Sequence, residues 1–428
     1  MIYLSALLFL GFWLKIIASQ LFFGGMLFEP VGYFDYSPSS YDEVLLASSL
    51  GASGFICASY LMADKLKIYG VSNYLSNGLT LKLTNRYYLI AWILLLMVCI
   101  GAIYVNAHFG IYHRGSKVND LLPAYIQNGI KWMLVMGFDL MALALLNIAL
   151  NSKDTRLYVW IFLVLFVDFL CNLSLLSRGF PVSGSVILFA LFSIHIYQGR
   201  VKLYKVFALP IIAFCVFSII SVSTVNFFRS SIYEGISNMQ NFEQNYSAVA
   251  GNANGKNNLP SINKHLHFVV GRWVGLEGVA AISAHPDQGW PLFVRALKEV
   301  KSYDGASFYD STIVAKDSNY ANISEKNYYA ITLPGLIGFS YYAGSYWLVF
   351  IATFLLGSFG IFAELIFLRL TTYPLVAAFT SFLLAYRYVS FGYTPKDSYL
   401  LAISLIAVGI IAFMMKKFHA ISLLTKAD

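Results

Sequence analysis

The sequence predicts an all-α, polytopic membrane protein of about ten transmembrane helices, with a large helical outer loop before the last three. Three observations predict that fold class. Of 428 residues, 58% are hydrophobic and only 12% charged, whereas a soluble domain carries about 25% charged residues. Apolar runs long enough to cross a bilayer recur along most of the chain. Lys and Arg are divided unevenly between connectors on alternate sides of those runs.

The first run, 2–23, contains Lys15 and is followed by no small-residue cleavage site. It therefore reads as a retained span rather than a signal peptide. A lysine among apolar residues must face the bundle interior or be paired there. The connector 24–43 holds Glu29, Asp35, Asp42 and Glu43 but no Lys or Arg, which marks it as outside. Further spans follow at 44–63, 88–108, 130–150 and 157–176. A sixth begins directly after the tight Ser177-Arg178-Gly179-Phe180-Pro181 turn and ends at Tyr197, and a seventh covers 206–225. Spans eight to ten lie at 345–368, 375–391 and 399–415.

The charge distribution orients this set. Inner connectors and the tail hold thirteen basic residues: Lys65, Lys67, Lys82, Arg86, Lys153, Arg156, Arg200, Lys202, Lys205, Arg369, Lys416, Lys417 and Lys426. Short outer connectors hold four: Arg114, Lys117, Arg178 and Lys396. Thirteen against four places both termini in the cytoplasm. The net charge of +8 then reflects this bias and contact with anionic lipid, not nucleic acid, for which no motif is present. The chain divides into 1–225 (spans one to seven), 226–330 (the large outer loop) and 331–428 (a broken segment and the last three spans).

Inside the loop, 238–263 is rich in Asn, Gly and Ser and is expected to be mobile. The stretch 265–284 has a helical pattern. Arg272 and Glu277 near its middle would each cost a few kcal/mol in lipid, so it is placed on or just above the membrane surface. A second, amphipathic helix is expected over 290–303, and 304–329 is polar and irregular. Residues 330–344, with Pro334, Gly335, Gly338 and Gly344, are too short and broken to span. A re-entrant or surface segment buried by protein fits them.

The candidate chemistry is at the outer side. Arg178, Arg229, Arg272, Arg295 and Arg387 collect there, and arginine is suited to forked binding of phosphate. Such a cluster could hold a lipid-linked pyrophosphate whose tail stays in the bilayer. A snorkelling or headgroup contact is the ordinary alternative for each. Glu277, between Gly275 and Gly278, could approach a sugar closely and act as general base on an acceptor hydroxyl. His285 is the rival base. No metal motif is convincing: His108 with His113, and His265 with His267, lack partner sets, and Asp304, Asp310 and Asp317 are too widely spread for a calcium loop. No P-loop, nucleophile elbow or dinucleotide fingerprint occurs, so no cofactor is expected. Cys57, Cys99, Cys171 and Cys215 all fall in spans and read as small apolar helix residues.

This layout resembles the Wzy-type polymerases of O-antigen and capsular polysaccharide. The likeness rests on Leu176-Ser-Arg178-Gly179, on Arg272-Trp-Val-Gly-Leu-Glu277-Gly, on the segment 330–340, and on a large outer loop late in a many-span chain. The family spacings of arginine and glycine are not kept: Phe189 stands where a glycine would follow Arg178, and sixteen residues, one too many, separate Arg272 from Gly289. The resemblance implies a GT-C-like fold and an inverting, metal-independent glycosyltransferase at the periplasmic face of a bacterial inner membrane. It implies undecaprenyl-pyrophosphate-linked oligosaccharide as substrate, membrane lipids around it, and a chain-length regulator and flippase as candidate partners. Arginines would stabilise the departing pyrophosphate. Two alternatives stay open: an O-antigen ligase transferring glycan to lipid A core, and a lipid-linked oligosaccharide flippase or transporter.

Overall fold

The computed structural model describes residues 2–22, 24–25, 27, 31–68, 85–113, 121–152, 156–197, 203–234, 275–299, 307–314, 334–371, 373–391, 403–404 and 406–410. Every long regular element among them is helical. The helices are α1 (Ile2–Phe22), α2 (Pro38–Ile68), α3 (Asn85–Phe109), α4 (Ala124–Trp132), α5 (Phe138–Ser152), α6 (Leu157–Ser174), α7 (Phe180–Tyr197) and α8 (Leu203–Glu234). They continue with α9 (Leu276–Ser283), α10 (Trp290–Leu297), α11 (Gly335–Tyr341), α12 (Tyr346–Thr371) and α13 (Pro374–Phe391).

Seven of the described helices are long and apolar enough to cross a membrane: Tyr3–Phe22, Pro38–Met62, Arg86–Phe109, Ala124–Leu150, Leu157–Ser174, Val206–Phe228 and Tyr346–Thr371. They correspond to seven of the ten expected spans. The expected sixth and ninth are shorter apolar helices, Phe180–Ile196 and Pro374–Tyr386. Most of the expected tenth lies outside the described residues. The chain is a multi-pass helical membrane protein.

One compact unit comprises residues 64–232, 362–382 and 402–428. In it, α3 buries a stripe at helical spacing: Tyr88, Trp92, Leu95, Cys99 and Asn106. Trp92 stacks on Trp160 of α6 at 5.9 Å, and Tyr88 meets the same ring edge-on at 4.7 Å. The Tyr88 hydroxyl donates to the Leu145 carbonyl of α5 at 3.1 Å. Together α3, α5 and α6 form the centre of this unit. Between α4 and α5 the helix widens into a π turn, Met133–Gly137. Gly137 permits it, since a Cβ there would come within 2.8 Å of Met133 Sδ and 3.0 Å of the Trp132 ring.

The second unit comprises residues 1–63, 233–361 and 383–401. Small residues set its packing. At Gly54 of α2 a Cβ would run into Thr353 Oγ1 and the Phe350 carbonyl, and Gly357 has Phe55 and Ala58 3.0 Å from its would-be Cβ. With these glycines α2 and α12 approach closely, the usual device of membrane helices, where hydrophobicity alone does not drive association. The same device joins α9 to α11. A side chain on Gly278 would strike the Pro334 backbone, and one on Gly338 would lie 3.1 Å from Ile282 and 3.2 Å from Gly278.

One expectation about the outer loop changes here. The amphipathic helix begins at Trp290 as expected but ends at Leu297, with Lys298 as its C-cap. The helix containing Glu277 is packed inside the protein, each of Leu276 to Ile282 being buried. The segment 334–344 is buried by protein, as its glycines and proline suggested.

Candidate functional site

Lys15 explains the burial of α9. On α1, residues Leu8, Phe12, Lys15, Ile16 and Ser19 share one buried face. The chain enters α9 through Gly275, whose φ of +102° lies in the left-handed region. A Cβ on Gly275 would touch the Phe12 ring at 3.5 Å. One helical turn past Phe12, Lys15 Nζ lies 2.6 Å from Glu277 Oε2 and 2.5 Å from Oε1. Both side chains are nearly inaccessible, at 1% and 3%. The sequence argument weighed the Glu277 carboxylate alone; in the structure it is paired with Lys15 of a span-length helix. Gly275 supplies the left-handed entry to α9, and Gly278 its close approach to Pro334.

The same unit ties α1 to α2. Gly24 and Gly25 adopt positive φ and close α1, with the Gly25 N–H donating to the Ser19 carbonyl at 2.9 Å. The Tyr41 hydroxyl of α2 donates to the Gly25 carbonyl, and the Ser19 side chain is a further hydrogen-bond partner of Tyr41.

His285 follows α9 and is held at both ring nitrogens. Nδ1 accepts from the Asp287 N–H at 3.2 Å, which leaves Nε2 to donate to the Thr312 carbonyl at 3.3 Å. That pattern fits a neutral ring. At 1.5 Å per residue, about 12 Å of helix separates His285 from Glu277, so the two candidate bases do not share one proton position. The Tyr341 hydroxyl at the end of α11 donates to Glu43 of α2. Burial, then the adjacent Glu43 carboxylate, push the Tyr341 phenol far above its ordinary range, so it remains a donor at every physiological pH.

In the other unit, Arg178 stands on a constrained turn. Leu176 takes a φ of +48°, and the Ser177 N–H donates to the Asn172 carbonyl at 2.8 Å. The Gly179 N–H donates to Ser177 Oγ at 3.1 Å. Gly179 packs tightly, since a Cβ there would come within 2.9 Å of Asn172 Oδ1 and 3.0 Å of Ser177 Oγ. The Arg178 residue is half-buried, with Nε and Nη1 shielded from solvent. Beneath the turn, Asn172 Nδ2 donates to Asp168 Oδ1 at 2.7 Å, and Ser183 Oγ of α7 lies 2.7 and 3.0 Å from the two Asp168 oxygens. Asn172 thus ties the turn to Asp168.

The predicted arginines are not gathered into one described cluster. Arg178 belongs to one unit and Arg295, which is exposed on α10, to the other. Arg229 and Arg387 lie on α8 and α13, but their side chains are outside the described residues, as is the whole of Arg272. Sequence reasoning missed the Asp168–Asn172–Ser183 network, although Asp168 and Asn172 stand four apart in an apolar helix, one above the other. It also missed Tyr341 with Glu43, which no spacing rule reveals. Among the described residues no group of three or more His, Cys, Asp or Glu is placed to hold a metal ion. No family model, no curated protein and no solved structure matches the chain.

Proposed function

We propose that this chain polymerises undecaprenyl-pyrophosphate-linked oligosaccharide repeat units by metal-independent, inverting glycosyl transfer of the GT-C type. The reaction would take place at the periplasmic face of a bacterial inner membrane. The observation that carries this reading is the Arg178 turn. An arginine with two side-chain nitrogens shielded from solvent stands where an apolar helix ends, on a tightly packed turn. A fork of N–H donors at that place fits a diphosphate whose lipid tail continues along the helices. The leaving group gains negative charge in the transition state, where such donors act most strongly. Glu277 and His285 are the two groups offered to take the acceptor hydroxyl's proton.

The test is elongation by the purified protein in nanodiscs, supplied with a lipid-linked repeat unit. Ladders of increasing length are expected from the wild type. Arg178→Ala should lose at least 100-fold in rate while remaining monodisperse, on the scale of removing one oxyanion donor. Folded wild-type protein that makes no dimer of repeat units would overturn the reading. A carrier of the same lipid-linked glycan is the second reading. It is favoured by one observation, the two buried carboxyl groups Asp139 and Asp168 inside the helices.

A further inference from the structure

Two acidic side chains of one unit are buried among apolar helices, and among the described residues neither has a basic partner. Asp139 is 4% exposed on α5 and Asp168 is 0% exposed on α6. The two interact electrostatically, and Asp139 also interacts with Cys99 of α3 and Cys171 of α6. The two thiols lie 3.8 Å apart and close the cluster on its third side. Among the described residues, no Lys, Arg or His forms an ion pair with either carboxyl. Lys131 of α4 is turned onto the Tyr112 ring at 4.1 Å, and His195 of α7 is bonded to the Leu191 carbonyl. From α7 the facing polar group is Ser183.

The two carboxyls have different surroundings. Asp168 is met by donors, Ser183 Oγ and Asn172 Nδ2, as an ionised acceptor-only carboxylate would be. Asp139 Oδ1 is fully buried and has no hydrogen-bond partner. Two turns further along the same face of α5, Asn147 Nδ2 is also buried and without a partner, at 1% residue exposure. Orphaned groups at this depth are costly and call for an occupant. Two like charges this deep in apolar surroundings cannot both persist without a compensating cation. A metal ion would need several converging oxygens, and no described set of acidic, His or Cys residues supplies them.

We propose that Asp139 and Asp168 form an intramembrane proton-binding site, with the proton on Asp139 and the negative charge on Asp168. This site does not depend on the glycosyl-transfer reading above. It gives the helical unit a group able to take up and release a proton within the span layer, as proton relays in membrane proteins do.

Infrared spectroscopy of the purified full-length protein in nanodiscs tests it. A carbonyl absorption from a neutral carboxyl group is expected at pH 7. It should shift on labelling the aspartate carboxyls, disappear in Asp139→Asn and persist in Asp168→Asn. The aspartate label distinguishes the pair from the buried Glu364 and needs no variant. Absence of a label-sensitive neutral-carboxyl band at pH 7 would overturn the proposal, as would its persistence in folded Asp139→Asn. Replacing sodium by choline should leave the band unchanged. A band that appears only when sodium is removed would make sodium the occupant and overturn the proton assignment.

Discussion

The two units bury charge in opposite ways. In one, Lys15 and Glu277 come from residues 262 apart in sequence and cancel each other inside the protein. In the other, Asp139 and Asp168 share a sign and are met by donors on one side only. The difference teaches that an ionisable residue in an apolar helix is not one kind of signal. A cancelled pair positions structure, here the insertion of α9 beside α1. A like-signed pair needs a mobile cation and so points toward exchange with something outside the chain.

Breaking the cancelled pair should have the largest effect. Glu277→Leu leaves the Lys15 ammonium buried alone and is expected to destabilise by about 3–5 kcal/mol. The double variant Lys15→Met with Glu277→Leu should recover most of that loss, because well-packed apolar pairs replace buried ion pairs at little cost. Thermal melting in detergent measures both. If Glu277→Leu alone melts like the wild type, the pair is not what holds α9 in place.

A packing change sharpens the same point at smaller scale. Gly278→Val is expected to cost about 1–3 kcal/mol, the usual range for overpacking, because the new Cβ meets the Pro334 backbone, which cannot rotate away. Gly101→Val is the control, since nothing lies within 4 Å of a Cβ there. Denaturation midpoints should fall for the first and stay close to wild type for the second.

The smallest effect concerns pH. Burial holds His113 below its ordinary value. The unfolded chain therefore takes up a proton near pH 6.5 that the folded chain refuses. Stability from this residue is complete above about pH 6.5 and is lost as the pH falls through the lower folded-state value. His113→Gln should flatten the acid side of a melting-temperature profile slightly.

Seven of the expected spans were legible in the sequence because long apolar runs are a local property of the chain. The requirement that Lys15 have an interior partner was legible too, since an unpaired ammonium in lipid is costly. Which residue pairs with it was not, because tertiary pairing leaves no periodicity. The structure supplies that partner: Glu277, which the sequence offers only as a single carboxylate, is the residue paired with Lys15. At Arg178 the turn itself was legible from Ser177-Arg178-Gly179. Its packing was not, because it comes from Asn172, in the helix before the turn, filling the space beside Gly179.

The most direct measurement of the central claim is the affinity of the nanodisc-embedded protein for undecaprenyl pyrophosphate, wild type against Arg178→Gln. The account predicts at least a tenfold rise in Kd, about 1.4 kcal/mol, with little change for the prenyl alcohol that lacks the diphosphate. Equal affinity of the two proteins for the pyrophosphate would contradict it.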